Sequence, residues 1–173
     1  MEFPEEGLWL IGNISRRLIS RNMFMCVAES CTGGLVSVLC TNVPGSSKWF
    51  CGGLVTYADY LKTRLLNVDK GLIEEHGSVS EAVVEAMAAG VLQATGATVG
   101  LAISGIAGPE GGTAEKPVGT VWISTIAYMS QAFGSPAKGP VISSFRRNFT
   151  GYRDDIRMSA ALAGLEALHD RLK

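Results

Sequence analysis

Met23-Phe-Met-Cys-Val-Ala28, an unbroken apolar run, passes directly into Glu29-Ser-Cys-Thr-Gly-Gly34, and Leu35 to Leu39 then leaves in a small-residue helical pattern. A continuous apolar run of this kind is the signature of a strand buried on both faces of a parallel sheet. Strand, then Ser/Cys/Thr, then two glycines, then helix can hold a side-chain nucleophile at a sharp turn, with the N–H groups of the helix start pointing past it. The same residues also describe a plain strand-to-helix turn, with a Ser or Thr N-cap and glycines for close packing. Both readings place Ser30 at the carboxyl end of a buried strand.

Upstream, residues 5–21 read as an amphipathic helix with Leu8, Ile11, Leu18 and Ile19 on one side and Arg16, Arg17 and Arg21 elsewhere. Downstream, the helix runs to about Thr41 and ends in Asn42-Val-Pro-Gly-Ser-Ser47. Gly53 to Ala58 reads as a second strand with Tyr57 at its carboxyl end, and Lys62 follows in a short helical segment. Asp69 to His76 forms a short helix closed by Gly77, and Ser80 caps a long helix to about Thr95. Thr98 to Ser104 is another buried strand. The loop 105–119 holds five glycines and two prolines, a length and composition that mark a functional segment or a disordered one. Val121 to Met129 and Val141 to Phe149 pair as antiparallel strands across a loose connection at 130–140, and a helix from Asp154 to the end buries Met158, Leu162, Leu165 and Leu172. The sum is one domain over 1–173, a three-layer α/β/α fold with a mixed central sheet. Ligands in such sheets sit beyond the carboxyl ends of the strands, where Ser30, Tyr57 and Ser104 all fall.

The chain has 173 residues, 47% hydrophobic and 18% charged, with 15 basic against 16 acidic side chains. That balance disfavours nucleic-acid binding, which usually shows a basic excess. Four cysteines without a C-x-x-C pair and two histidines point to reduced thiols in a cytoplasm, with no disulfide scaffold, structural zinc or other metal site. The acidic start, Met1 to Glu6, does not read as a signal peptide, and no apolar window is long enough to span a membrane.

Phosphate loops, dinucleotide fingerprints and the G-x-S-x-G elbow are absent, so no cofactor is expected. An S-x-x-K at Ser135 to Lys138 is crowded by Pro136, Gly139 and Pro140 and reads as chance. His76 reads as a helix C-terminal residue and His169 as surface or interface. A Ser30 nucleophile therefore needs another base, and Lys62 is the nearest in topology. Its amine serves only when neutral, which requires surroundings that bring its pKa from about 10.4 toward about 7. Tyr57 can relay the proton, and the backbone N–H groups of Cys31, Thr32, Gly33 and Gly34 can form an oxyanion site. Cys31 is the alternative nucleophile; without a nearby histidine it is also a small buried residue.

Glu29 to Gly34, Pro44-Gly-Ser-Ser47, Val55-Thr-Tyr57 with Lys62 five residues on, Gly77-Ser-Val-Ser80, and Ser104-Gly-Ile-Ala-Gly-Pro109 through Thr120 together resemble the CinA C-terminal domain family over about residues 8–172. The resemblance implies a metal-free amidohydrolase that converts nicotinamide mononucleotide to nicotinic acid mononucleotide and ammonia in pyridine-nucleotide salvage. It also implies Ser30 as nucleophile, Lys62 and Tyr57 as base and relay, and Ser47, Ser104, Gly105 and Arg153 around the substrate. Self-association as a dimer or larger homo-oligomer follows from the same resemblance. The alternatives are a non-catalytic ligand-binding or interaction module linked to competence or DNA damage, and an amidase for another small amide. In two places the chain departs from the family: Tyr152 stands where Asp is frequent, which removes a partner for Arg153, and the segment between Trp122 and Phe149 is longer.

Overall fold

The computed structural model describes residues 4–128 and 139–173. Its elements are α1 (Glu5–Ser20), β1 (Met25–Glu29), α2 (Leu35–Thr41), a 3-10 turn (Ser46–Lys48), β2 (Phe50–Val55), α3 (Asp59–Leu66), α4 (Lys70–His76), α5 (Glu81–Thr95), β3 (Val99–Gly105), β4 (Thr120–Ala127), β5 (Val141–Asn148) and α6 (Arg153–Arg171). The strands form one sheet in the order β2-β1-β3-β4-β5. β1 runs parallel to β2 and to β3, and β4 runs antiparallel to both β3 and β5. The mixed α/β sheet expected from the apolar runs is the one observed.

Every residue of β1 is buried, as an apolar run flanked by two parallel neighbours demands. On one face α1, α2 and α6 cover a core that includes Ile11, Ile14, Leu39, Leu101, Ile103 and Leu165. On the other, α3, α4 and α5 cover Ala28, Leu66, Val83, Met87 and Val91. The chain leaves β1 through α2 toward β2, then returns through α3–α5 to β3 on the opposite side of β1. The chain leaves the carboxyl end of β1 toward β2 and that of the adjacent β3 toward β4, so the connections part in opposite directions there, the position at which open α/β sheets bind ligands. Ser30 is the first residue beyond the end of β1.

Several boundaries move. β2 spans Phe50–Val55 and not Gly53–Ala58, so Tyr57 stands two residues past the strand, in the turn into α3. The buried face of α1 is Leu10, Ile11, Ile14 and Leu18, while Leu8 and Ile19 are exposed. In α6 the fully covered stripe is Ile156, Ala160, Leu165 and Leu168; Met158 and Leu162 are half-buried. His169 is buried and not at the surface, with its ring 5.2 Å from that of Trp9. Ser80 does cap α5, accepting from Val83 N at 3.4 Å. Met129 and the connection 130–138, including Ser135 and Lys138, lie outside the described residues.

Gly90 lets α5 approach α3 so closely that a Cβ at this position would run into the carbonyl oxygen of Leu66. Gly90→Ala is expected to destabilise the fold by about 3 kcal/mol through forced separation of the two helices, measured as a lower urea midpoint. Because α3 carries Lys62, the same separation should reach the site.

Candidate active site

Ser30 is held on both sides by the sheet. Its N–H donates to Ile103 O at 3.0 Å, and the N–H of Thr56 donates to Glu29 O at 2.8 Å. Ser30 therefore sits between Thr56 and Ser104, which extend from the two strands neighbouring β1. Its hydroxyl makes no hydrogen bond among the described residues, and the residue is 7% exposed.

The turn that follows is fixed by a residue to which the sequence reading gives no role. Glu29 is fully buried, and its carboxylate accepts from Gly34 N (3.0 Å), Val36 N (3.1 Å), Ser37 N (2.9 Å) and the Ser37 hydroxyl (2.7 Å). These are the unpaired donors at the start of α2, and a carboxylate is the strongest acceptor they can meet. Neither Ser nor Thr caps this helix: its N-cap is Gly34, in the left-handed region at φ 95°. The arrangement also narrows the expected oxyanion site. Gly34 N–H is spent on Glu29, and Gly33 N–H donates to Ser30 O at 3.0 Å. Among the described residues only the Cys31 and Thr32 amides of the four have no oxygen acceptor, and both face the Cys31 sulfur. Glu29→Gln would turn an amide NH2 toward one pair of these donors in either orientation. It is expected to cost about 3 kcal/mol of stability, read by urea unfolding.

Lys62 lies in the first turn of α3 and is 1% exposed. Its Nζ donates to Thr56 O (3.0 Å), Tyr57 O (3.2 Å) and Asp59 Oδ1 (3.1 Å). Three acceptors for one amine is the hydrogen-bond pattern of an ammonium. Burial pushes the Asp59 carboxyl up, but the Ser78 hydroxyl and the Lys62 ammonium outweigh it and hold the group below the usual carboxylate range. Lys62 thus ties together the turn that leads from β2 past Ser30. No direct bond joins it to the serine.

Ser104 is 1% exposed and donates its hydroxyl to Ser78 O at 2.7 Å. Gly105 follows, close enough that a Cβ there would stand 3.1 Å from the Cys31 sulfur. Arg153, the first residue of α6, donates to Gly108 O at 2.6 Å and to Tyr57 Oη at 3.3 Å. It joins the glycine-rich loop to the exposed tyrosine. Arg157, one turn on, donates to Thr32 O at 3.0 Å. Ser47 is different. It lies before β2, at the end of the sheet opposite Ser30, so a six-residue strand of roughly 20 Å separates them within one chain.

The family model for the CinA C-terminal domain matches residues 9–172. The chain belongs to the CinA C-terminal domain family. It is 44% identical over 161 residues to the nicotinamide-nucleotide amidohydrolase PncC of Enterobacter agglomerans, covering 92% of each chain. It is 45% identical over 155 residues to a CinA-like protein of Desulfotalea psychrophila, covering 90% of this chain but 35% of that one. The crystal structure of a CinA superfamily protein from Enterobacter cloacae superimposes with a TM-score of 0.88 at 30% identity, covering 100% of this chain and 96% of that one. A Klebsiella pneumoniae superfamily member gives 0.85 at 33%, covering 96% and 97%.

Two further points concern this CinA C-terminal domain. Tyr152 does not hold Arg153: its ring is exposed, and its N–H donates to Asp155 Oδ2 at 2.8 Å. Arg153 takes its partners from Gly108 O and Tyr57 Oη instead. Burial pushes the Cys31 thiol up to about 11, so at neutral pH it is protonated and weakly nucleophilic. Among the described residues no group of three or more His, Cys, Asp or Glu side chains is arranged to hold a metal, and no helix is long and apolar enough to cross a membrane.

Proposed function

We propose that this protein hydrolyses the carboxamide of nicotinamide mononucleotide, releasing ammonia and nicotinic acid mononucleotide through an acyl-enzyme on Ser30. The observation that carries the reading is an unbonded Ser30 hydroxyl at the same strand end as two amides, Cys31 and Thr32, that are bonded to no oxygen. A carbonyl seated there would present its carbon to Oγ and its oxygen to the amides as negative charge develops. The amidohydrolase relative at 44% identity supplies the substrate class.

In the first step Ser30 Oγ attacks the amide carbon and gives up its proton, and the C–N bond breaks as the departing nitrogen takes a proton and leaves as ammonia. Water then attacks the ester and restores the serine. Lys62 is the proton carrier in this reading. A neutral amine has two N–H donors, enough for Thr56 O and Tyr57 O. The contact it gives up is Asp59, whose side chain is 57% exposed and readily solvated. Tyr57 and Arg153 form one unit at the mouth of the site, and the guanidinium can also take a phosphate bidentately.

The test is ammonia release from nicotinamide mononucleotide within a panel of nucleotides and simple amides. Turnover confined to nicotinamide mononucleotide supports the reading. Turnover of another amide alone replaces the substrate, and binding without turnover replaces the enzyme with a binding module. Cys31→Ala is expected to keep ammonia release within the same order of magnitude, since its thiol is buried and protonated. Loss of activity in that variant would move the nucleophile to Cys31.

A further inference from the structure

Arg157 reaches across the fold to the turn after Ser30, a contact spanning 125 positions of the chain. One guanidinium nitrogen donates to Thr32 O at 3.0 Å, and the other pairs with Asp154 at 3.3 Å. The guanidinium lies directly over Gly33, where a Cβ would stand 3.4 Å from it. Gly33 has φ 61°, and with no side chain it leaves that space open.

The peptide between Thr32 and Gly33 is therefore pinned at both ends. A trans peptide points its C=O and N–H in opposite directions. Arg157 holds the Thr32 oxygen outward, together with Leu35 N at 3.3 Å, and the Gly33 N–H is thereby turned inward onto Ser30 O at 3.0 Å. Rotation of this one peptide would release Ser30 O, and with it the restraint on the Ser30–Cys31 peptide that carries the Cys31 amide and on the Thr32 amide that follows, the two donors left for a developing oxyanion. Glu29 fixes the turn from within and stops at Gly34, so it does not restrain this peptide. We infer that Arg157 is a positioning residue for the nucleophile turn, acting through the Thr32 carbonyl on Ser30 and on the Cys31 and Thr32 amides.

The inference rests on the proposed amidohydrolase reading for its kinetic test and has a second readout independent of any substrate. Arg157→Ala should lower kcat for nicotinamide mononucleotide by between about 10- and 100-fold, the range for small misplacement of reacting groups, with KM within about twofold. Added guanidinium chloride at millimolar concentration should restore part of kcat in Arg157→Ala and none in the unmodified protein. In amide hydrogen exchange, the Gly33 N–H should exchange at least about 10-fold faster in the variant while β1 amides keep their rates. Should Arg157→Ala fail to fold, Arg157→Lys carries the test, because an ammonium can reach one acceptor but cannot span Thr32 O and Asp154. A rise in KM with kcat unchanged would make Arg157 a substrate contact and overturn the inference, as would unchanged Gly33 exchange. If the unmodified protein releases no ammonia from any amide, the functional reading fails, and Gly33 exchange alone decides whether Arg157 holds the turn.

Discussion

Ser30→Ala is expected to reduce ammonia release from nicotinamide mononucleotide by more than about a thousandfold, the usual scale for removing a catalytic nucleophile. The fold should survive, since the hydroxyl has no hydrogen bond among the described residues and the Ser30 N–H to Ile103 O bond is made by backbone. Residual binding should also survive, because Arg153 and the glycine-rich loop are untouched. Ammonia measured at saturating substrate, beside a thermal melt matching the unmodified protein, is the decisive comparison. A variant that melts normally and still turns over at the original rate would end the serine mechanism.

Lys62→Met should produce two losses at once. The apolar side chain leaves the carbonyls of Thr56 and Tyr57 without the donor that now serves both in a buried turn, at a cost of about 3 kcal/mol. The Asp59 contact adds little, because its partly exposed carboxylate is rehydrated. If Lys62 carries the proton as proposed, activity should fall by more than about a thousandfold even after correction for the folded fraction. Lys62→Arg separates the two effects. Its guanidinium can satisfy acceptors, and so recover stability, but it stays charged and cannot take a proton from Ser30. Recovery of activity in Lys62→Arg would show that the cation acts by its charge and geometry alone.

The central layer was legible because buried strands and capped helices are local events. The run before Ser30, the Ser80 cap and the end of its helix at Thr95 each declare themselves within a few residues, and each stands where expected. The start of β2 lies three residues before the expected Gly53: buried Phe50 already pairs with Met25 next to a register shift, ahead of two glycines that carry no strand pattern of their own. That slip carried Tyr57 into the strand, when it belongs to the turn that Lys62 ties down. His169 reads as a surface residue from its place near the chain end, yet Trp9 from the first helix lies against it. Glu29 and Arg157 were missed for a different reason. A charge beside an apolar run gives no sign of whether its carboxylate turns back onto a helix start, and a contact across 125 positions has no period or spacing to reveal it. A useful signal for Glu29 was present: an acidic residue at the very end of a fully apolar strand must find several donors if it is to be buried. The motif containing Ser47 is local too, but nothing in its spacing tells which end of the sheet it occupies.

The placement of Arg153 and Arg157 at the beginning of α6 has a consequence for how the protein matures on the ribosome. The serine turn, its buried glutamate and the lysine all belong to the first half of the chain and can take shape as soon as β1 to β3 pair. The outer contacts, to Thr32 O, Gly108 O and Tyr57 Oη, wait for a helix translated after every strand. A nascent chain halted before α6 therefore carries a serine and its lysine without the groups that aim and frame them. In the proposed mechanism, turnover at Ser30 would therefore wait until the last helix docks.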